Sequence, residues 1–535
     1  MGYKKESSQA VTTKSDSADT TISGPRYEAS FRKRYFSKLT TNLLGLVIGI
    51  VTQSIVPRAL GPAVYGNFSF LTNFFQQVVG FLNFNTSTAF YTKLSQRQDD
   101  RKLVSFYFYV ILLIGLILGL FVAACFMVGK SNTIWPGQSG NYVVFGALWA
   151  FLTFCVMILN DMSDAYGLTV KSEMAKLAIK FFGLIVVLIL FWQKLFSLTN
   201  YFVYHFLFLT ITLILFYRII HGNGHAIFGE QHLRKDEIKA YGNEFSGYCL
   251  PLVVFSGFAV LEGILDRWFL QKFAGSEQQG FYGLAYQIGA ICFLFCSAMI
   301  PLLAREYAIS FEKRDLDEMR RLFTKFVPML YAIAAYFSCF LAVESKNVML
   351  LIGGKAYAGA VVPITIMCFY PIHQTYGQIN ATVFFATSRT VAYRNIGIAL
   401  IFIGLPLTFI LLGPREYGAL QTGATGLAAK MVMIQFLSVN IQLWYNAKMM
   451  KLPFRSFFIH QILVISAFVA LALISSYAAR TVLQGTHFFV QFLGSGFLYT
   501  LCILGLVLFY PAICGMKKAE VVSVLGHFFR KKGGE

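Results

Sequence analysis

Two carboxylates, Glu262 and Asp266, stand four residues apart in a largely apolar stretch of sequence. On a helix that spacing puts both on one face, one turn apart. Two ionised carboxylates there repel, and burial penalises each charge. Such a pair must hold a proton, bind a cation or recruit a basic partner. Cations lie in similar surroundings. Arg267, Lys430 and Lys180 sit inside apolar stretches, and Arg58 and Arg389 sit at their edges. Arginine presents a planar fork of donors that suits phosphate oxygens. Arg58, Arg267, Lys430 and Arg389 are therefore candidate anion ligands. Arg34 and Lys38 read as interfacial anchors, and His205 as a core histidine.

Amides and hydroxyls are the groups that bind sugars. One apolar stretch carries Asn73, Gln77, Asn83 and Asn85, and another carries His373, Gln374, Gln378 and Asn380. Several amides facing lipid from one helix are costly. These faces are expected to line a wet cavity or, failing that, a helix contact. Pro363 and Pro371 are placed to kink the second stretch.

The elements that position these residues are membrane spans. With 56% hydrophobic and 13% charged residues, the chain devotes its length to apolar segments rather than to charged domain surfaces. A spanning helix needs about 20 mostly apolar residues. Fourteen such segments are expected, at 39–57, 67–91, 103–128, 142–166, 177–194, 199–218, 247–271, 280–304, 327–352, 358–387, 394–412, 423–447, 455–479 and 488–514. None alternates in polarity as a barrel strand does. With both termini placed in the cytoplasm, the cytoplasmic segments hold 34 of the 45 Lys and Arg. One miscounted span would scramble that bias downstream.

The net charge of +20 is then mostly the positive-inside bias, suited to anionic lipid, and calls for no nucleic acid. The nine cysteines lie in or at the ends of spans with no metal-type spacing, so neither a metal nor a cofactor is expected. No phosphate-binding glycine loop or hydrolytic motif is present, which argues against ATP-driven transport and against an enzyme. Residues 1–34 are expected to form a disordered cytoplasmic arm.

Leu60-Gly61-Pro62-Ala63-Val64-Tyr65-Gly66 and Ala274-Gly275-Ser276-Glu277-Gln278-Gln279-Gly280 share a Gly-x4-Gly pattern at an offset of 214 residues. The second copy lies six spans after the first, so both point the same way through the membrane. The result is a parallel repeat. The expected fold is an all-α integral membrane protein of about 14 transmembrane helices, in two pseudo-symmetric six-helix lobes plus a C-terminal helix pair. Its parts are an N-lobe at 35–220, a cytoplasmic linker at 221–246, a C-lobe at 247–450, a hairpin at 451–516 and a basic cytoplasmic tail at 517–535.

Val56-Pro57-Arg58-Ala59-Leu60-Gly61-Pro62 through Phe68 resembles the first loop of polysaccharide-transporter proteins. So do Ile264-Leu265-Asp266-Arg267-Trp268, continuing through Gly280-Phe281-Tyr282-Gly283, and Tyr417-Gly418-Ala419 followed by Gly423-Ala424-Thr425-Gly426. The chain resembles the O-antigen and capsule-unit flippases of the multidrug, oligosaccharidyl-lipid and polysaccharide exporter superfamily. Leu420-Gln421-Thr422 departs from the usual run of that third segment. The resemblance implies a flippase for a polyprenyl-diphosphate-linked oligosaccharide, working by alternating access in a bacterial inner membrane. It implies Arg58, Arg267, Lys430 and Arg389 for the diphosphate, the two amide clusters for the sugar, and Glu262 and Asp266 for coupling transport to an ion. It also implies that a polysaccharide polymerase and a chain-length regulator are partners. The rival readings are a multidrug antiporter of the same superfamily, and more remotely a membrane polymerase or glycosyltransferase.

Overall fold

The computed structural model describes residues 25–225, 227, 233–297 and 299–516, so the arm at 1–24, part of the linker and the tail at 517–535 lie outside the described residues. Helix dominates, with no strand among the described residues. The first half comprises α1 (Pro25–Asn83), α2 (Thr86–Gln96), α3 (Arg101–Met127), α4 (Ser131–Ile134), α5 (Gly140–Ala165), α6 (Thr169–Trp192) and α7 (Leu198–His221). The second comprises α8 (Lys235–Ser297), α9 (Ile300–Glu312), α10 (Leu316–Val343), α11 (Ser345–Ile352), α12 (Val361–Met367), α13 (Tyr370–Ala386), α14 (Thr390–Leu412) and α15 (Gly423–Met449). The pair α16 (Phe454–Val482) and α17 (Phe488–Phe509) follows.

Among the described residues, eleven helical segments are long and apolar enough to cross a membrane. The first, Val47–Asn83, carries most of the first expected span and much of the second, because α1 runs through the expected loop with one break at Gly61. Expected span seven and most of span eight lie in α8, whose one internal break is at Gly275, and the end of span eight continues in α9. Gly61 (φ 74°, ψ 166°) and Gly275 (φ 81°, ψ −177°) occupy backbone regions essentially closed to residues with a Cβ. Pro62 then starts the second limb of α1, where a missing N–H costs nothing. The tenth expected span is divided into α12 and α13, with Pro371 in the first turn of α13.

The limbs of α1 and α8 form the axis of the bundle, and their two hairpins cross backbone to backbone. A Cβ on Gly66 would lie 1.7 Å from the Ser276 carbonyl oxygen, and one on Gly280 would lie 2.0 Å from that of Pro62. Shifting by the repeat offset turns one contact into the other, so the repeat read from sequence is a contact between its own two copies. This end is called the glycine end, and the opposite one the basic end.

Three apolar cores surround the axis. One fills the first half around Phe75, Trp135 and Phe154. One lies under the crossing and joins Tyr65 and Phe68 to Leu284 and Tyr357. One fills the second half around Phe323, Tyr331 and Val464, and the α16–α17 pair packs there against α10. Glu344, 1% exposed between α10 and α11, accepts hydrogen bonds from Ser495 of α17 (3.0 Å) and Arg480 of α16 (3.3 Å).

Gly66→Ala or Gly280→Ala is expected to push the hairpins apart and cost about 1–3 kcal/mol. Gly119→Ala, which meets nothing within 4 Å, is the control. Thermal unfolding in detergent and a spin-label distance across the hairpins measure both effects.

Candidate functional site

Glu262 and Asp266 lie on the first limb of α8, and α14 and α15 pack against it. Lys430 of α15 donates to both carboxylates, 2.6 Å to Glu262 Oε1 and 2.7 Å to Asp266 Oδ2. Thr408 of α14 donates to the other oxygen of Asp266 at 2.7 Å. Gly404 admits this cluster, since a Cβ there would meet Glu262 Oε1 at 2.9 Å and Lys430 Cε at 3.1 Å. The side chains of Lys430 and Asp266 are 1% and 8% exposed, and that of Glu262 is 22% exposed. Two carboxylates and one ammonium leave a formal charge of −1. Glu262 is the leg that solvent reaches. Of the three outcomes open to the carboxylate pair, the structure shows a basic partner, drawn from the same half of the chain.

The four cations proposed for a diphosphate are not brought together. Arg58 reaches from α1 to the C-terminus of α11, where it donates to the carbonyls of Leu350 and Leu351 (2.6 Å to the latter). Those acceptors carry the negative end of the helix dipole, so Arg58 latches the glycine end between the two halves. Arg267 is buried between the limbs of α8, donating to Gln279 Oε1 at 3.1 Å with its guanidinium 4.3 Å from the centre of the Tyr282 ring. Lys430 belongs to the carboxylates. Arg389, at the basic end, lies 5.7 Å from the centre of the Tyr445 ring.

The amide clusters divide by helix face. Asn83 caps the break between α1 and α2, donating to Ser87 Oγ at 2.9 Å and accepting from the Ser87 N–H at 3.1 Å. Asn85 donates to Ser256 of α8 at 3.1 Å, and Gln77 packs against Gly263. Both line the seam between α1 and α8. Asn73 is half-buried, and its Oδ1 has no partner among the described residues. On α13, His373 and Asn380 turn into the second core, where Asn446 donates to Asn380 Oδ1 at 3.1 Å. Gln374 and Gln378 stay half-exposed.

At the basic end the first limb of α8 is fastened to α2 and α3. Lys93 and Arg97 meet Glu244 Oε1 at 2.8 and 2.6 Å, and Lys102 meets Glu237 at 2.5 Å. Tyr241 donates to Asp100 at 2.9 Å, while Phe245 packs on Phe106 and Tyr107. The hydrogen bond from Lys93 and the charge of Arg97 hold the Glu244 carboxyl below its usual range. This seal, largely missed in sequence, was signalled only by opposite charges flanking the linker. Along the other seam, the first limb of α1 and the second limb of α8 leave a cavity of about 310 Å³. Gly49, Gln53, Tyr286 and Gln287 line it.

The fold has solved counterparts. The structure matches that of the lipid II flippase MurJ in an inward closed conformation with a TM-score of 0.62, covering 90% of this chain and 99% of that one at 14% identity. It matches an inward-facing multidrug resistance MATE family transporter of the MOP superfamily at 0.59, covering 78% and 98% at 11% identity. A MOP superfamily transporter from Pyrococcus furiosus matches at 0.52 and 10% identity, covering 79% and 95%. The fold is the one these solved structures share. No family profile and no curated protein matches the sequence. In this chain the carboxylate–lysine cluster lies within the second half, and the contacts at both ends lie between the halves.

Lys430→Ala leaves two buried carboxylates uncompensated and is expected to cost about 3–5 kcal/mol. Combining it with Glu262→Gln and Asp266→Asn should recover most of that loss in thermal unfolding. The ion pairs at the basic end follow a depressed carboxylate. Their contribution is present at neutral pH and is lost as pH falls through the lowered range of the Glu244 carboxyl. Glu244→Gln is expected to remove that pH dependence from a spin-label distance between α2 and α8.

Proposed function

We propose that the chain is a flippase for polyprenyl-diphosphate-linked oligosaccharide repeat units, such as those of O-antigen, capsule or exopolysaccharide. It moves them from the cytoplasmic to the outer leaflet by alternating access. The basic end is then cytoplasmic, as are both termini, and the membrane is a bacterial inner membrane. The observation that carries this reading is the extent of the likeness to the lipid II flippase, 90% of the chain against 78% for the MATE transporter. The difference is close in size to the α16–α17 pair, which suits handling of a lipid tail. The lobe boundaries at 35–220 and 247–450 belong to this reading.

The coupling site in this reading is Glu262, with Asp266 and Lys430 as its electrostatic frame. When Glu262 takes a proton, Lys430 keeps Asp266 as its counter-ion and the cluster becomes neutral. When it releases the proton, the cluster returns to −1. A protonation that changes the charge of a buried cluster biases a two-state bundle toward the state that solvates it better.

Flipping of a polyprenyl-diphosphate oligosaccharide in liposomes, with and without a proton gradient, tests this. The wild type is expected to flip faster with the gradient. Glu262→Gln should lose that dependence while remaining folded. Export of organic cations with no flipping of any lipid-linked glycan would overturn the substrate reading in favour of a drug antiporter.

A further inference from the structure

Three cations lie inside the expected spans, and two of them are held. Lys430 is bound by two carboxylates, and Arg267 by Gln279 and the Tyr282 ring. Lys180 is different. It sits near the midpoint of α6, three residues, or about 5 Å along the helix axis, past the start of the expected span at 177–194. Among the described residues it makes no hydrogen bond or ion pair. The nearby carboxylate, Glu173, is already bound by Lys176. Lys180 keeps exposed surface while its side chain lies along α1. An unpaired ammonium at the edge of a span answers to water or an anion.

Its surroundings say which. The Nζ lies against α1, where a Cβ on Gly45 would meet it at 2.7 Å. Gly45, Gly49 and Gln53 follow at i, i+4 spacing and form one stripe of α1. Gly49 and Gln53 are walls of the 310 Å³ cavity between α1 and the second limb of α8. A Cβ on Gly49 meets nothing within 4 Å, so there is open space one turn from the ammonium. Across the cavity, Gln287 has a buried Oε1 with no partner. One cation, open volume and unpaired amide capacity therefore follow one another along one inter-half seam.

We propose that Lys180 is an anion anchor of this seam and takes the phosphate of a lipid diphosphate. Gln53 and Gln287 meet the polar groups attached to that phosphate. The identity of the lipid rests on the flippase reading, while the anion site itself does not. The glycines act by leaving room. At Gly45 a side chain would displace the ammonium, and at Gly49 a large one would fill the space where the phosphate sits.

Binding of a polyprenyl diphosphate to the full-length protein in detergent, measured by native mass spectrometry, tests the proposal, with the uncharged polyprenol as the parallel probe. Lys180→Gln is expected to weaken the diphosphate about tenfold, the scale of one charge-assisted contact, and to leave polyprenol unchanged. Lys180→Arg should restore binding. Gly49→Leu should weaken it with the lysine intact. Lys171→Gln, which removes a contact to Asn223 outside the cavity, should change nothing. Equal affinity of wild type and Lys180→Gln for the diphosphate would overturn the anchor, as would an equal loss for polyprenol. A wild type that ignores polyprenyl diphosphate but binds phosphatidylglycerol in a Lys180-dependent way would keep the anion site and overturn the flippase substrate.

Discussion

Everything in this bundle hangs from a backbone crossing. The hairpins at Gly61 and Gly275 touch through carbonyl oxygens and hydrogen-only α-carbons, with no room for a methyl group at Gly66 or Gly280. That contact sets the distance between α1 and α8, and through them the distance between the halves. Arg58 reinforces it by capping α11 from across the interface. The crossing is symmetric, so each copy of the repeat supplies both the glycine and the carbonyl. Close approach of backbones is also how helices associate in lipid, where burying apolar surface brings no gain over lipid contact.

The second constraint is that lipid solvates no charge. The chain meets it by pairing charges inside one half and between halves in different ways. Lys430, Glu262, Asp266 and Thr408 form a closed set on α8, α14 and α15, dry except at Glu262. Lys93, Arg97, Lys102, Glu237 and Glu244 form a wet set at the basic end that joins α8 to α2 and α3. Wet pairs of this kind are each worth little and are readily exchanged for water. That suits a contact that opens. The dry set suits a contact that stays.

Much of the fold was legible because membrane spans advertise themselves by length and apolarity. The Gly-x4-Gly repeat was legible because only glycine permits the backbone angles at Gly61 and Gly275. What sequence hid was continuity: α1 and α8 run through the expected loops with single breaks, because a glycine hairpin between helices needs no loop at all. At the site, the i, i+4 pair Glu262–Asp266 announced an electrostatic problem, and Lys430 announced another. That each solves the other depends on packing between residues more than 160 positions apart, which no local pattern encodes. Arg58 is a similar case. Its charge is plain in sequence, but a helix C-terminus becomes an acceptor only once α11 is in place. Asn83 and Asn85 look alike in sequence, yet one caps a helix break and the other bridges to α8.

The location of the carboxylate–lysine cluster also bears on how the protein meets the membrane voltage. All of its members sit on helices of one half, so they travel together. If that half rocks about the glycine crossing, the cluster swings with it but is not dragged from one face of the bilayer to the other. Work done by the electric field depends on how far charge moves across it. Little such work is available from the protein's own charges here. In the proposed coupling at Glu262 the field acts mainly on the ion that enters and leaves there, so the voltage is felt by the mobile ion rather than by the scaffold.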